Sequence, residues 1–421
     1  MSNEPTVRVP LRLPSATATF VIGIAGCLCV NLSPYLITTL QEALGSDVLT
    51  AGWIITATLL ASAVTGLALA PICAGPRRVT VARAGLSVAA LGFGVAALVP
   101  TSTAVTAGLI VGGLGAGCAV AVAGASLAAF TNPDRVAGMN GTVNRAVIGA
   151  ILAALPLVGL APINVFGALA IAAVVGIVVS GWLPAAPLID ERPAVDIAEA
   201  MPVEVPPTAA AAAASRALPY ARAVRIAGYT LLATFALWAV TEESLWAMAS
   251  IMAETQASLS PEGLSIALSG AAIGGVLSSA LLVIVGDRLG RAVPLAVLLV
   301  TGGALKIVAG FVTTPTAFIV ILIAWSSLYA VAFMYFLSTA AALDPDGRWS
   351  ARLLSIYLVG SSVTPIVGAA LTEALGFQGF GIVLGVATAV LAVPAAAIAH
   401  FSTRCERAEG SAVTEPQTVS A

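Results

Sequence analysis

Two carboxylates stand side by side at Glu242 and Glu243, in the stretch AVTEESLWAM (239–248), inside a segment that otherwise reads as oil. A carboxylate at the centre of a bilayer costs on the order of 3 kcal/mol, so one is kept there when it meets water, a partner or a substrate. A carboxyl shielded from water beside a like charge is suited to exchanging protons. The chemistry on offer is therefore proton coupling, or capture of a cationic group. The competing reading is a pair wetted by external water, because the apolar run ends about two turns later. Neighbours on a helix point about 100° apart, so the two carboxylates cannot face one lumen equally.

Other polar residues sit in apolar runs. Arg145 lies in MNGTVNRAV (139–147), with Asn140 and Asn144 one turn apart beside it. It is the natural counter-charge, yet its depth does not match that of Glu242. It holds an anionic substrate group or a gate contact, or else snorkels to the interface. Asn31 is mid-run with Tyr35 one turn on, and a buried Asn needs partners, from a cavity or a neighbouring helix. Trp325, Tyr329 and Phe333 form a stripe at four-residue spacing, as do Trp238 and Glu242. Aromatic walls with a carboxylate suit flat or cationic organic compounds, and ordinary helix packing is the alternative. Lys306 reads as a snorkelling lysine on a peripheral helix. His400, the one histidine, falls at a helix end, so no histidine relay is expected. Cys27 and Cys29 would point about 200° apart on a helix, which argues for apolar filler over a metal pair. No metal, cofactor or disulfide framework is expected.

The elements that must position these groups follow from composition. The chain has 421 residues, 59% hydrophobic and 9% charged. A soluble domain carries about 25% charged residues, so this is read as an integral membrane protein. The net charge of -2 offers no basic surface for nucleic acid. The N-terminal MSNEPTVRVPLRLPS does not read as a signal peptide. Apolar runs of about 20 residues predict twelve helices, at 16–40, 49–74, 83–100, 103–130, 136–159 and 162–184, then 223–251, 261–285, 291–312, 315–343, 349–373 and 377–401. Residues 1–15 are an N-terminal segment and 402–421 a tail. Residues 185–222, rich in Pro and Ala, read as a disordered linker in which the Ala run favours a transient helix. The chain divides into a six-helix bundle at 16–184 and another at 223–401.

With both termini in the cytoplasm, 16 of the 18 basic residues fall on cytoplasmic segments or at the cytoplasmic ends of spans, and the other two, Arg145 and Lys306, fall deeper within spans. The external loops carry acids alone: Glu42, Asp47, Glu254, Glu262 and Glu373. That is the positive-inside pattern of a multi-pass protein of a bacterial cytoplasmic membrane.

The halves resemble each other. VNLSPYL (30–36) lines up with VTEESLW (240–246), TNPDR (131–135) with LDPDGR (343–348), and CAGPRR (73–78) with GDRLGR (286–291). Parallel six-helix halves predict a pathway between two bundles and a site near the midplane. On these features, and on Asp287-Arg288-Leu289-Gly290-Arg291 between the eighth and ninth spans, the chain resembles the major facilitator superfamily over nearly its whole length. The resemblance implies an all-α membrane fold of twelve helices in two pseudo-symmetric bundles. It also implies a cytoplasmic gate loop at Asp287, Arg288, Gly290 and Arg291, with Arg77 and Arg78 in the first half, where Cys73 stands in place of the pattern's Asp. The exporter patterns are degraded: Gly115-Ala-Gly117 is present, but Val111 replaces the expected Arg.

The functional expectation is a secondary transporter working by alternating access, not an enzyme. No Walker pattern exists to couple ATP. Glu242, Glu243, Asn31 and Arg145 are the candidates for proton coupling or substrate. Tyr35, Trp238, Asn144, Trp325, Tyr329 and Phe333 are the candidates for lining the cavity. Proton-coupled export of a small organic molecule leads, with proton-linked uptake or facilitated diffusion behind it. A receptor or scaffold on the same fold is the reading from another class. Partners are then a small molecule, protons and membrane lipid, without nucleic acid, and a monomer is expected.

Overall fold

A computed structural model of the chain describes residues 9–127, 129–131, 133–185, 207–285, 290–343 and 348–414. Among them the structure is helical, and the one β contact is an isolated bridge between Val9 and Phe130. The helices are α1 (Leu13–Asn31), α2 (Ser33–Leu44), α3 (Val48–Ala74), α4 (Arg78–Leu98), α5 (Ser102–Leu127), α6 (Pro133–Val158) and α7 (Pro162–Val179). Then come α8 (Pro207–Ile251), α9 (Pro261–Val285), α10 (Ala292–Phe311), α11 (Pro315–Leu343), α12 (Arg348–Ser362) and α13 (Thr364–Thr414). In lipid each backbone N–H and C=O needs a partner within the chain, which leaves the helix as the local solution. Leu91, Leu98, Val178 and Val393 expose 70–74% of their surface, an apolar exterior that suits lipid.

Ten helices among the described residues are long and apolar enough to cross a membrane. α2, α9 and α12 fall outside that criterion. One of the ten, within α13, bends at Gly376, whose φ of 65° a residue without Cβ adopts readily. Two further departures concern the ends. α8 begins at Pro207, so residues 207–222 of the stretch read as linker are helical, as the strong helix propensity of alanine explains. α13 continues past residue 401 to Thr414. Residues 186–206 and 415–421 lie outside the described residues.

The first and eleventh expected spans are each broken, and in the same way. α1 stops at Asn31 and α2 restarts at Ser33-Pro34; α12 stops at Ser362 and α13 restarts at Thr364-Pro365. Proline lacks the N–H for the i−4 carbonyl and clashes with it, so the helix bends just ahead of the ring.

Within the first half α3, α4 and α1 pack on α5, and α7 packs on α4; within the second, α13 packs on α8 and α10, and α9 on α11. Small residues let these backbones close up. A Cβ on Gly303 would stand 2.6 Å from the Gly385 carbonyl oxygen, and one on Gly310 2.6 Å from that of Phe377, which seats α10 on α13. The halves meet where α6 contacts α9, α3 contacts α12 and α13, and α2 contacts α8. On the side that the arginine distribution assigns to the exterior this seam is closed. Thr38 donates to Ser250 at 3.0 Å, Ser265 donates to the Ala153 carbonyl at 2.6 Å, and Gly52 abuts Pro365 and Ala369.

Candidate functional site

The two glutamates part company. Glu242 turns into the second half, where its Oε1 is 2.6 Å from Lys306 Nζ on α10. Lys306 also donates to Thr241 at 3.0 Å and to Thr388 at 2.6 Å, so its three protons are matched. Trp325 Nε1 donates to the other Glu242 oxygen at 2.6 Å. Lys306 is fully buried and Glu242 nearly so. The pair is a satisfied internal network, the condition under which a buried charge is tolerated.

Glu243 faces a cavity between the halves. Its Oε1 accepts from Tyr329 at 2.7 Å and from Tyr357 at 2.6 Å, and the two hydroxyls lie 3.0 Å apart. These are neutral donors, and among the described residues no salt bridge to Glu243 is formed. Asn31 and Arg145 from the first half line the same cavity with Glu243, Trp325, Tyr329 and Tyr357. Arg145 lies along α9: a Cβ on Gly275 would stand 3.0 Å from Arg145 Nη1. The cavity measures about 60 Å³. That is room for waters, whereas drug-sized ligands occupy roughly 300–1,000 Å³. A substrate of that size would fit here after the halves part.

The turn of α8 that bears Glu243 touches both proline breaks. Ser244 donates to the Thr364 carbonyl at 3.3 Å, and Trp246 Nε1 donates to the Asn31 carbonyl at 3.1 Å. A helix leaves its last carbonyls without intrahelical partners, and Trp246 supplies one to the Asn31 carbonyl at the end of α1, while Ser244 ties α8 to the first residue of α13. One break belongs to each half, so the carboxylate sits at the junction of both.

The structure thus brings together Glu243, Asn31, Arg145, Trp325 and Tyr329 and separates the others. Tyr35 is buried and donates to the Leu152 carbonyl at 2.7 Å. Trp238 packs between Phe336 and Tyr329, with ring centroids 4.8 and 5.3 Å away, behind the cavity wall. Phe333 stands on Tyr357 at 5.5 Å. Neither Phe333 nor Asn144 is among the cavity's lining residues. Of the gate loop, Asp287 and Arg288 lie outside the described residues. Gly290 has a φ of 66°. Arg291 donates to Ser338 of its own half at 2.8 Å. Arg78 is buried and donates to the Cys73 and Pro184 carbonyls at 2.9 and 3.0 Å, which staples the α3–α4 turn to the end of α7. Arg77 is exposed.

Lys306 corrects the expectation of a lysine snorkelling outward. Gly303, Lys306 and Gly310 follow one another at helical spacing, and the two glycines mark the face that packs on α13. That spacing was a legible sign that Lys306 points into the bundle. Tyr357 was missed because nothing local distinguishes it. Trp246, three residues past Glu243, shares its helix face and was legible by the same rule.

The family model described as the Major Facilitator Superfamily matches residues 18–345. No curated protein matches the chain. Among solved structures it is similar to the peptide transporter POT in complex with alafosfalin, at 14% identity and a TM-score of 0.69, over 95% of this chain and 98% of that one. It is similar to the nucleoside transporter NupG at 13% identity and a TM-score of 0.66, over 92% and 99%. It is similar to the human organic anion transporter MFSD10 at 16% identity and a TM-score of 0.62, over 92% and 100%. At these identities the likeness is one of fold.

Proposed function

Because the chain belongs to the major facilitator superfamily, we propose that it is a secondary transporter that exports a small organic molecule in exchange for protons, with Glu243 as the group that protonates and meets the substrate. The chain is a multi-pass membrane transporter, not an enzyme. The observation that carries the finer reading is the contrast between the adjacent glutamates. Glu242 is held by Lys306, so its charge is committed to the fold. Glu243 opens on the cavity between the halves and is held by two hydroxyls, which can rotate to serve either a carboxylate or a carboxylic acid.

Alternating access follows from that placement. With the external seam closed, Glu243 exchanges its proton with the cytoplasmic side and takes up substrate in the proton's place. Parting of the external seam lets an external proton displace the substrate. A carboxylate that holds either a proton or a cationic group, and not both, makes the two fluxes antiparallel. The arginine distribution supports cytoplasmic termini in a bacterial inner membrane.

The test is accumulation of dyes and drugs in an efflux-deficient bacterial host producing the intact chain, Glu243→Gln or Asn31→Ala, with and without a protonophore. Lower accumulation that is abolished by the protonophore and by Glu243→Gln supports the reading. Accumulation unchanged by Glu243→Gln removes Glu243 from the mechanism.

A further inference from the structure

Two charged groups of opposite sign present unengaged atoms to one cavity. Glu243 commits its Oε1 to Tyr329 and Tyr357, while no hydrogen bond among the described residues uses its Oε2. Arg145, from the opposite half, lines the same cavity, and no hydrogen bond or ion pair among the described residues engages its guanidinium. Asn31 spends its amide N–H₂ on the Cys27 carbonyl at 2.8 Å and leaves its side-chain oxygen over. The walls between are aromatic: Trp325 and Tyr329 stack with centroids 6.1 Å apart and 13° between their planes.

A second cavity of about 40 Å³ adjoins the first, with Tyr357 as their shared wall. Its lining is largely apolar, with Val30, Leu59, Ala63 and Val120 among its residues. The two chambers together offer an anion site, a cation site and an apolar annex.

We infer that the substrate is an amphoteric organic molecule, carrying a carboxylate or equivalent anion at one end, an amine at the other, and an apolar or aromatic body. The inference rests on the proposed role of Glu243 and adds Arg145 as its partner in recognition. A guanidinium fork matches a carboxylate bidentately. An ammonium group is served by Glu243 Oε2 and by the faces of Trp325 and Tyr329. A zwitterion neutralises both cavity charges at once. A simple cation leaves Arg145 desolvated and unmatched when the halves close, and a simple anion does the same to Glu243. Because the two charges come from opposite halves, a ligand carrying both complements also draws the halves together.

The test uses the purified full chain in nanodiscs and two aromatic scaffolds, tryptophan and ciprofloxacin. Each is offered as the zwitterion, as its ester (cation only) and as its N-acyl derivative (anion only), and binding is read by thermal shift and by titration. The zwitterion of at least one scaffold is expected to bind at least tenfold more tightly than either of its singly charged forms. Arg145→Gln should shift the preference to the ester and Glu243→Gln to the N-acyl form, while Arg145→Lys should keep the zwitterion preference. If an ester binds the intact chain as tightly as its parent and Arg145→Gln changes nothing, the amphoteric reading falls while Glu243 keeps its role. If Glu243→Gln alters no binding, both readings fall. Absence of binding by every zwitterion, with the protein folded, overturns the inference and leaves proton coupling to the accumulation assay.

Discussion

Lys306 Nζ lies 2.6 Å from Glu242 Oε1, and neither side chain is appreciably exposed, while the next residue, Glu243, opens on the cavity between the halves. The hundred-degree step between helix neighbours sends one carboxylate into the second half's core and the other to the seam. The same dipeptide therefore supplies a structural charge and a working one.

Lys306→Met should be severely destabilising, by about 3–5 kcal/mol, because Glu242 would keep its burial without its counter-charge. The double variant Lys306→Met/Glu242→Gln should regain much of the loss. Melting temperatures and folded yields in detergent check this. Equal damage in the single and double variants would show that lost packing outweighs charge.

Glu243→Gln should fold normally, since the amide oxygen still accepts from Tyr329 and Tyr357. It should retain exchange of substrate between equal pools only at raised substrate concentration, because the cationic group loses its carboxylate. Transport driven by a pH gradient should fall at least tenfold. Proteoliposomes compared in exchange and gradient modes separate the two.

Gly92 and Gly94 lie two residues apart on α4 and should respond in opposite ways. A Cβ on Gly92 would stand 2.7 Å from the Gly108 carbonyl oxygen of α5 and also meet the Gly112 backbone, whereas one on Gly94 meets nothing within 4 Å. Gly92→Ala should lower the melting temperature by several degrees. Gly94→Ala should leave it unchanged or raise it, as alanine favours the helix by up to about 1 kcal/mol. Thermal unfolding of the two variants decides it.

Asp47 caps α3 by accepting from the Thr50 backbone N–H at 2.6 Å, and hydrogen bonding to the Thr50 side chain first, with this backbone bond second, holds its carboxyl below the usual carboxylate range. A depressed folded-state value means that the cap's stabilisation is present above the ordinary carboxyl range, about pH 4, and is lost as pH falls through the lowered value. Asp47→Ala should therefore lower the melting temperature at neutral pH and lose that effect in acid, while Asp47→Asn keeps the cap. Melting curves across pH 3–7 check the sign.

Composition alone determined that this chain lives in a membrane, because a surface this poor in charge cannot be hydrated. The apolar runs marked the helices, while the arginines gave an expectation of their polarity and matching segments such as VNLSPYL and VTEESLW an expectation of a twofold plan. All of these are local or additive properties, written along the chain. The breaks at Pro34 and Pro365 were not read from the sequence, which predicted unbroken spans there, and proline alone does not decide them, since Pro71, Pro156 and Pro394 lie inside continuous helices. Which of two adjacent glutamates faces the cavity was not local. It depended on where α10 places Lys306, 64 residues away in sequence, and on α12 bringing Tyr357 to meet Tyr329. The opposition of Arg145 and Glu243 depended on how α6 of one half lies along α9 of the other. A charge inside a membrane announces that it needs a partner; packing between distant helices decides which partner it finds.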